Sequence, residues 1–96
     1  GDLILDRLNR KVTRGDTEIE LQSKEFQLLE CLLRHRGKVV TRSMLLEHVW
    51  NYHFDPQTNV IDVHISRLRQ KVDKTFNVPL IETVRGTGYR ISEDLQ

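Results

Sequence analysis

The sequence has 96 residues, of which 15 are basic, 14 are acidic and 38% are apolar, so the formal net charge is +1. This length suits one domain over residues 1–96 and leaves no room for a separate catalytic domain. No apolar run approaches the roughly 20 residues of a membrane span, and no signal peptide is visible, so we expect no membrane partner. Cys31 is the single cysteine, which excludes an intramolecular disulfide and fits a cytoplasmic location. The sequence begins with Gly1 instead of Met, which indicates a fragment of a longer protein.

Basic side chains are concentrated toward the C-terminal end of the chain. Residues 1–35 hold 6 basic and 7 acidic side chains, a net charge of −1, whereas residues 58–90 hold 6 and 3, a net charge of +3. The local field at a binding face matters more than the total charge. A nucleic-acid partner is therefore compatible with the small overall charge.

Three short strands are predicted near the N-terminus, over residues 3–5, 11–13 and 18–21. Polar and apolar residues alternate over 18–21, which is typical of a half-buried strand. Residues 9–10 and 14–16 supply turns, so the segment is predicted to form an antiparallel meander. The second turn has the Arg-Gly-Asp sequence of integrin ligands, but without secretory features a glycine turn is the better interpretation.

The first helix is predicted to begin with Ser23 as its N-cap and to stop before Gly37. Glu25 lies in the first turn, where the helix dipole favours an acid, but Phe26 leaves the capping box incomplete. The leucines of this helix occupy a wide face, which predicts burial on more than one side. Cys31 is interpreted as a small buried apolar group, because a reactive thiol needs a cationic or metal neighbour that the sequence does not reveal.

The second helix is predicted to be capped by Thr41, and a third helix follows from about Asn59 to Lys74 after a break over 51–58. Four residues of the third helix fall within a sector of roughly 60° and predict a core stripe. The members of this core stripe are Ile61, Ile65, Leu68 and Val72.

The opposite flank of the third helix carries most of the functional signal. An ordinary solvated helix face is rich in Glu and Lys pairs, but this flank has no carboxylate. Its residues are polar, cationic or aliphatic: Asn59, Val60, Val63, Ser66, Arg67 and Gln70. Amides and guanidiniums can bind base edges in a major groove, and aliphatic groups can contact thymine methyls.

Neighbouring cations leave two interpretations of this helix open. Arg67, Arg69 and Lys71 can meet phosphates. Arg69 could instead be partly held by Asp73, one helical turn later. A solvated or protein-contacting face is the alternative to a helix that reads DNA.

The C-terminal segment is predicted to form a β-hairpin. Residues 80–84 and 89–91 are β-prone and flank the segment 85–88, which contains two glycines. Arg85 at the tip suits a minor groove, although an exposed surface arginine is the alternative. The fold class is therefore α+β: a winged helix-turn-helix with an N-terminal antiparallel sheet, three helices and a C-terminal β-hairpin wing.

Two long motifs carry a resemblance to a known family. Residues 58–71 (TNVIDVHISRLRQK) and 83–90 (TVRGTGYR) resemble the C-terminal effector domain of OmpR/PhoB-type response regulators, and residues 21–30 and 41–50 agree with it. The resemblance covers essentially the whole chain. It implies a single winged-helix domain that binds promoter DNA and regulates transcription as the output of a phosphorelay.

By position in these motifs, the resemblance assigns three sets of DNA contacts. The base contacts in the major groove are Asn59, Val60, Val63 and Arg67. The phosphate contacts are Arg42, His64, Ser66, Arg69, Lys71, Thr83 and Tyr89. Arg85 is expected to enter the minor groove. Trp50 fits a core or loop-anchoring role better than base stacking.

The resemblance also implies protein partners. Residues 51–58 correspond to a loop that often meets RNA polymerase, and the full-length protein is expected to bind direct repeats as a homodimer. A sensor histidine kinase would act on the receiver domain, which this sequence lacks. The segment 53–59 is similar to that of copper- and heavy-metal-responsive regulators.

Two other function classes compete with DNA binding. The four histidines, at 35, 48, 53 and 64, are scattered, and the sequence shows no catalytic triad, phosphate-binding loop or recurring metal-ligand spacing. We therefore expect no enzyme, no metal and no cofactor. A winged-helix module that binds only proteins is the second alternative, and the carboxylate-free flank argues against it.

Overall fold

The computed structural model describes residues 3–52, 59–73 and 80–91, and within these ranges three helices pack with two small antiparallel sheets. This is the predicted α+β architecture. The elements are β1 (Leu3–Asp6), β2 (Lys11–Arg14), β3 (Thr17–Ile19), α1 (Ser23–Arg34), β4 (Val40–Thr41), α2 (Arg42–Trp50), α3 (Val60–Val72), β5 (Ile81–Val84) and β6 (Gly88–Ile91).

The N-terminal sheet has the order β1-β2-β3, and each neighbouring pair is antiparallel. Val12 is buried at its centre, opposite Leu5 on one side and Ile19 on the other. Gly15 turns the chain between β2 and β3 with a φ of 61°, which agrees with the interpretation of the Arg-Gly-Asp segment as a turn. The predicted meander is confirmed, but β3 ends at Ile19 and does not reach Leu21, because the chain there leaves the sheet for α1.

The N-cap of α1 is Gln22, so the prediction of Ser23 was wrong by one residue. The Gln22 N–H donates a hydrogen bond to the Glu25 carboxylate at 2.9 Å. Counted from Gln22, Glu25 stands where a capping box requires an acid, which corrects the expectation based on Phe26. The helix ends shortly before Gly37, whose φ of 80° fits the predicted stop.

The second sheet contains a strand that the sequence analysis did not predict. β4 has two residues and pairs with β6, which gives the order β4-β6-β5. Gly88 lies opposite Thr41, and a Cβ atom on Gly88 would be 2.1 Å from the carbonyl oxygen of Val40. Any larger residue would collide with the backbone of β4. The Thr41 hydroxyl also accepts a hydrogen bond from the N–H of Met44 at 3.2 Å, which confirms the predicted cap of α2.

Side chains from both sheets and from α1, α2 and α3 meet in one hydrophobic core. The predicted core stripe of α3 faces this core, because all four of its members are buried. Asn59 is the N-cap of α3, and the predicted helix end at Lys74 lies outside the described residues. Cys31 is buried in the same core as predicted, and burial raises the pKa of its thiol. None of the described helices is long and apolar enough to cross a membrane.

Candidate nucleic-acid interface

The α3 flank consists of the six residues opposite the core stripe: Asn59, Val60, Val63, Ser66, Arg67 and Gln70. The four polar or charged members are exposed, and the two valines are half-buried. Val60 also packs against the core, so only part of its side chain can reach a ligand. Within the described ranges, the Arg67 guanidinium has no intramolecular hydrogen bond or ion pair. The flank therefore presents amide, hydroxyl and guanidinium groups to solvent.

His64 lies beside the α3 flank, and two neighbours set the orientation of its ring. Its Nδ1 atom is 2.8 Å from the carbonyl oxygen of Val60, which can only accept, so Nδ1 is the donor. The Trp50 ring meets the imidazole edge-on, with 5.1 Å between the ring centroids. Trp50 is half-buried and packs against the core, which is one of the two roles, core or loop anchor, predicted for it.

Lys71 is paired within the protein. Its Nζ atom lies 2.6 Å from the carboxylate of Glu25, whose side chain is 1% exposed. Burial alone would raise the pKa of Glu25, but the hydrogen bonds from Lys71 and from the Gln22 N–H, together with the Lys71 charge, outweigh burial and lower that pKa. The pair connects α3 to the start of α1. Because Lys71 already binds Glu25, a phosphate that contacts Lys71 would have to share it with this carboxylate.

Five side chains from α2, α3 and the wing form a second polar group, the Asp62 cluster: Arg42, Asp62, Arg69, Thr83 and Tyr89. The Asp62 carboxylate accepts a hydrogen bond from the Tyr89 hydroxyl and lies 3.5 Å from a guanidinium nitrogen of Arg42. Burial, followed by the hydrogen bond to Asp62, raises the pKa of Tyr89 to about 12. The hydroxyl therefore keeps its proton and acts as a donor at neutral pH.

Arg69 joins α3 to the wing, and the suggested pairing with Asp73 is wrong. The Arg69 guanidinium donates to the Thr83 hydroxyl on β5 and lies 5.6 Å from the ring centroid of Tyr89. Asp73 follows the last turn of α3 and points inward, where buried Arg14 lies 3.3 Å from its carboxylate. The sequence held no local signal for this pair, because 59 positions separate the two residues.

Asp73 also holds the start of β5. Its carboxylate accepts hydrogen bonds from the backbone N–H groups of Leu80 and Ile81 at 2.9 and 3.1 Å. Arg14 further donates to the carbonyl oxygen of Val72. This buried group connects the N-terminal sheet, α3 and the wing, and so sets the position of the α3 flank relative to the hairpin.

The wing is the hairpin of β5 and β6, as predicted. Gly86 lies in its tip with a φ of 75°, and the N–H of Thr87 donates to the carbonyl oxygen of Val84 at 3.0 Å. Arg85 is exposed at this tip and, among the described residues, makes no hydrogen bond or ion pair. Its guanidinium is available to a partner.

The histidines and carboxylates of the described ranges were the candidates for a metal site. No group of three or more His, Cys, Asp or Glu side chains there could hold a metal ion. His35 and His48 are neighbours, with 6.3 Å between their ring centroids, and His53 lies outside the described residues. Arg67 and Arg85, whose side chains make no hydrogen bond or ion pair with other described residues, and the carboxylate-free α3 flank are the features that suit a polyanion.

A family model described as "Transcriptional regulatory protein, C terminal" matches residues 16–91, from β3 through the wing. The chain belongs to this family. The resemblance to OmpR/PhoB-type effector domains is thus confirmed. The family description and the DNA-binding domains among the similar solved structures support DNA binding and transcription regulation as the function of an output domain of this kind.

Curated relatives of this OmpR/PhoB-type domain are transcriptional regulators. Transcriptional regulatory protein CusR of Escherichia coli K12 is 53% identical over 90 residues, which cover 94% of this chain and 40% of CusR. TcrA of Mycobacterium tuberculosis is 49% identical over 94 residues, which cover 98% of this chain and 37% of TcrA. The chain therefore spans about two fifths of the length of these relatives.

Solved structures confirm the winged-helix fold. The DNA-binding domain of Klebsiella pneumoniae RstA, in complex with the RstA box, superposes with a TM-score of 0.86 at 34% identity, covering 96% of this chain and 92% of that one. The DNA-binding domain of CpxR from E. coli gives a TM-score of 0.83 at 35% identity, covering 95% of this chain and 90% of that one.

Proposed function

We propose that this OmpR/PhoB-type domain binds promoter DNA sequence-specifically, with α3 in the major groove and the wing in the adjacent minor groove. The α3 flank carries this proposal, because a helix buried on one side exposes base-reading groups and no carboxylate on the other. Asn59, Val63 and Arg67 are its principal base contacts, and Val60 contributes the part of its side chain that lies outside the core.

The hydrogen bonds between α3 and the wing support the proposal that the two elements contact adjacent grooves at the same time. The hydrogen bond from Arg69 to Thr83 holds β5 beside α3, and Tyr89 on β6 is bonded to Asp62 on α3. Arg85 at the hairpin tip would insert into the minor groove, where a narrow A·T-rich groove attracts a guanidinium. The RstA domain, whose structure is similar, is bound to the RstA box.

Backbone phosphates are the proposed ligands of seven further residues: Arg42, His64, Ser66, Arg69, Lys71, Thr83 and Tyr89. Ser66 is exposed and His64 is half-buried next to the α3 flank. Lys71 and the members of the Asp62 cluster already have partners in the protein. For these residues a phosphate contact requires sharing or exchange of an existing bond.

The proposal extends to the partners of the whole protein. Residues 51–58 would contact RNA polymerase; Asn51 and Tyr52 are exposed, and 53–58 lie outside the described residues. The full-length protein would bind direct repeats as a homodimer, with half-sites about 10–11 bp apart. A sensor histidine kinase would act on a receiver domain, in the cytoplasm, where the promoter is.

Salt-dependent binding to a duplex tests the proposed function. The affinity for a random duplex should fall linearly on a log–log plot as salt rises, because phosphate contacts release counterions. Fragments selected from a random pool should bind more tightly than the pool at every salt concentration. A domain without measurable affinity for any duplex would instead be a protein-binding module.

A further inference from the structure

The Asp62 carboxylate lies among side chains proposed to bind DNA phosphate. It accepts from the Tyr89 hydroxyl on β6 and pairs with Arg42 on α2. The Arg69 guanidinium lies 5.6 Å from the ring centroid of Tyr89 and donates to the Thr83 hydroxyl. An anion therefore already occupies donors from α2 and the wing when DNA is absent.

A phosphate oxygen and a carboxylate oxygen suit the same donors. Guanidinium and hydroxyl groups form short, charge-assisted hydrogen bonds with either anion. The side chain of Asp62 is 54% exposed and that of Arg42 is 32% exposed, so a DNA backbone can approach this pair from solvent. A carboxylate at this position also repels the phosphate that approaches it.

We infer that Asp62 is an internal competitor of a DNA phosphate, which sets the strength of the contact made by Arg42 and Tyr89. In the free domain the carboxylate binds both donors, and in the complex a backbone phosphate replaces it. This inference rests on the proposed function. It identifies Asp62, which the DNA-contact predictions leave out, as the residue that lowers affinity for a duplex of any sequence.

If Asp62 had a structural role instead, removal of its charge would have the opposite effect on DNA affinity. Asp62 lies in the first turn of α3, where the helix dipole favours an acid, and it connects α3 to α2 and β6. If positioning of these elements were its main contribution, removal of the charge would loosen α3 and weaken DNA binding. The sign of the change in affinity therefore distinguishes competition from positioning.

Binding of a random duplex by Asp62→Asn is the deciding measurement. Asparagine retains an oxygen acceptor for Tyr89 but removes the charge, and we expect about two- to five-fold tighter binding with a steeper dependence on salt. Glu18→Gln on β3 is the matched control, because it removes an exposed charge from the N-terminal sheet. Thermal unfolding checks that each variant is folded, and Asp62→Ser is a second neutral variant if asparagine destabilises the domain.

The effect must also depend on the two donors. In an Arg42→Ala, Tyr89→Phe background, Asp62→Asn should give no gain beyond that of Glu18→Gln. Unchanged or weaker binding by folded Asp62→Asn, or a gain that equals the control or persists without the donors, would overturn the inference. Wild-type protein that binds no duplex would show a separate failure, that of the proposed function.

Discussion

The arginines and lysines that we propose as DNA contacts differ in whether they already have a partner within the protein. Arg67 and Arg85 are exposed without partners among the described residues, whereas Lys71 is paired with Glu25 and Arg69 with Thr83. A DNA contact by an engaged cation is offset by the bond it loses or shares. Arg67 should therefore contribute more to base recognition than its engaged neighbours.

Arg67→Ala should reduce affinity for a selected site by about 1–3 kcal/mol, the range of a bidentate contact to a base, and affinity for a random duplex by clearly less. Titration of both duplexes at one salt concentration measures the difference. Arg36→Ala, which removes an exposed arginine after α1, is the charge-matched control. Equal losses on the two duplexes would assign Arg67 to a phosphate instead.

At the scale of elements, the position of the wing is set in part by its pairing with the short strand β4. β6 lies between β4 and β5, so β4 connects the hairpin to the body of the domain. Gly88 permits this contact because there is no space for a Cβ atom beside Val40. Gly86 at the tip has a different role: nothing lies within 4 Å of its added Cβ, and only its φ of 75° favours glycine.

Gly88→Ala should destabilise the domain by at least about 3 kcal/mol, because the strands must separate to admit a methyl group against the backbone. Gly86→Ala should cost about 1 kcal/mol, since only the left-handed backbone is strained. Urea unfolding of both variants measures the two changes in the free energy of unfolding. If the two variants lost similar free energies of unfolding, β6 would be able to move away from β4 at little cost.

At the scale of the whole molecule, one partly buried and one buried polar contact connect distant parts of the described fold. Glu25 and Lys71 connect α1 with α3, and Arg14 and Asp73 connect the N-terminal sheet with the end of α3 and with β5. Removal of one partner from a buried pair leaves an uncompensated charge, which is strongly destabilising. These contacts therefore make the orientation of the α3 flank a property of the entire fold.

The pH dependence of stability should reveal the Glu25 contact. The pKa of Glu25 is lower in the folded state than in the unfolded chain, so its contribution is present above about pH 4.3 and is lost as pH falls through the folded pKa. Glu25→Gln should be less stable than wild type at pH 7, and the gap should shrink as pH falls below about 4.3. Urea unfolding across this range measures the gap. A constant gap would mean that the Glu25 charge does not stabilise the fold.

Local patterns in the sequence were sufficient for the three helices, for the N-terminal meander and hairpin, and for the exposed side of α3. Apolar spacing predicted the buried side of α3, the Thr41 cap predicted the start of α2, and paired glycines predicted the hairpin. Each of these features depends on residues that are close together along the chain, so each can be predicted from the sequence alone. The individual DNA contacts remain predictions.

Contacts between distant residues could not be predicted in this way. β4, the pair of Arg14 with Asp73, the pair of Glu25 with Lys71 and the Asp62 cluster all join segments far apart in the chain. Arg69 illustrates the limit, because helical spacing suggested Asp73 as a partner while packing of the wing supplied Thr83. A charged side chain binds the partner that folding brings within reach, and chain separation carries no information about that choice.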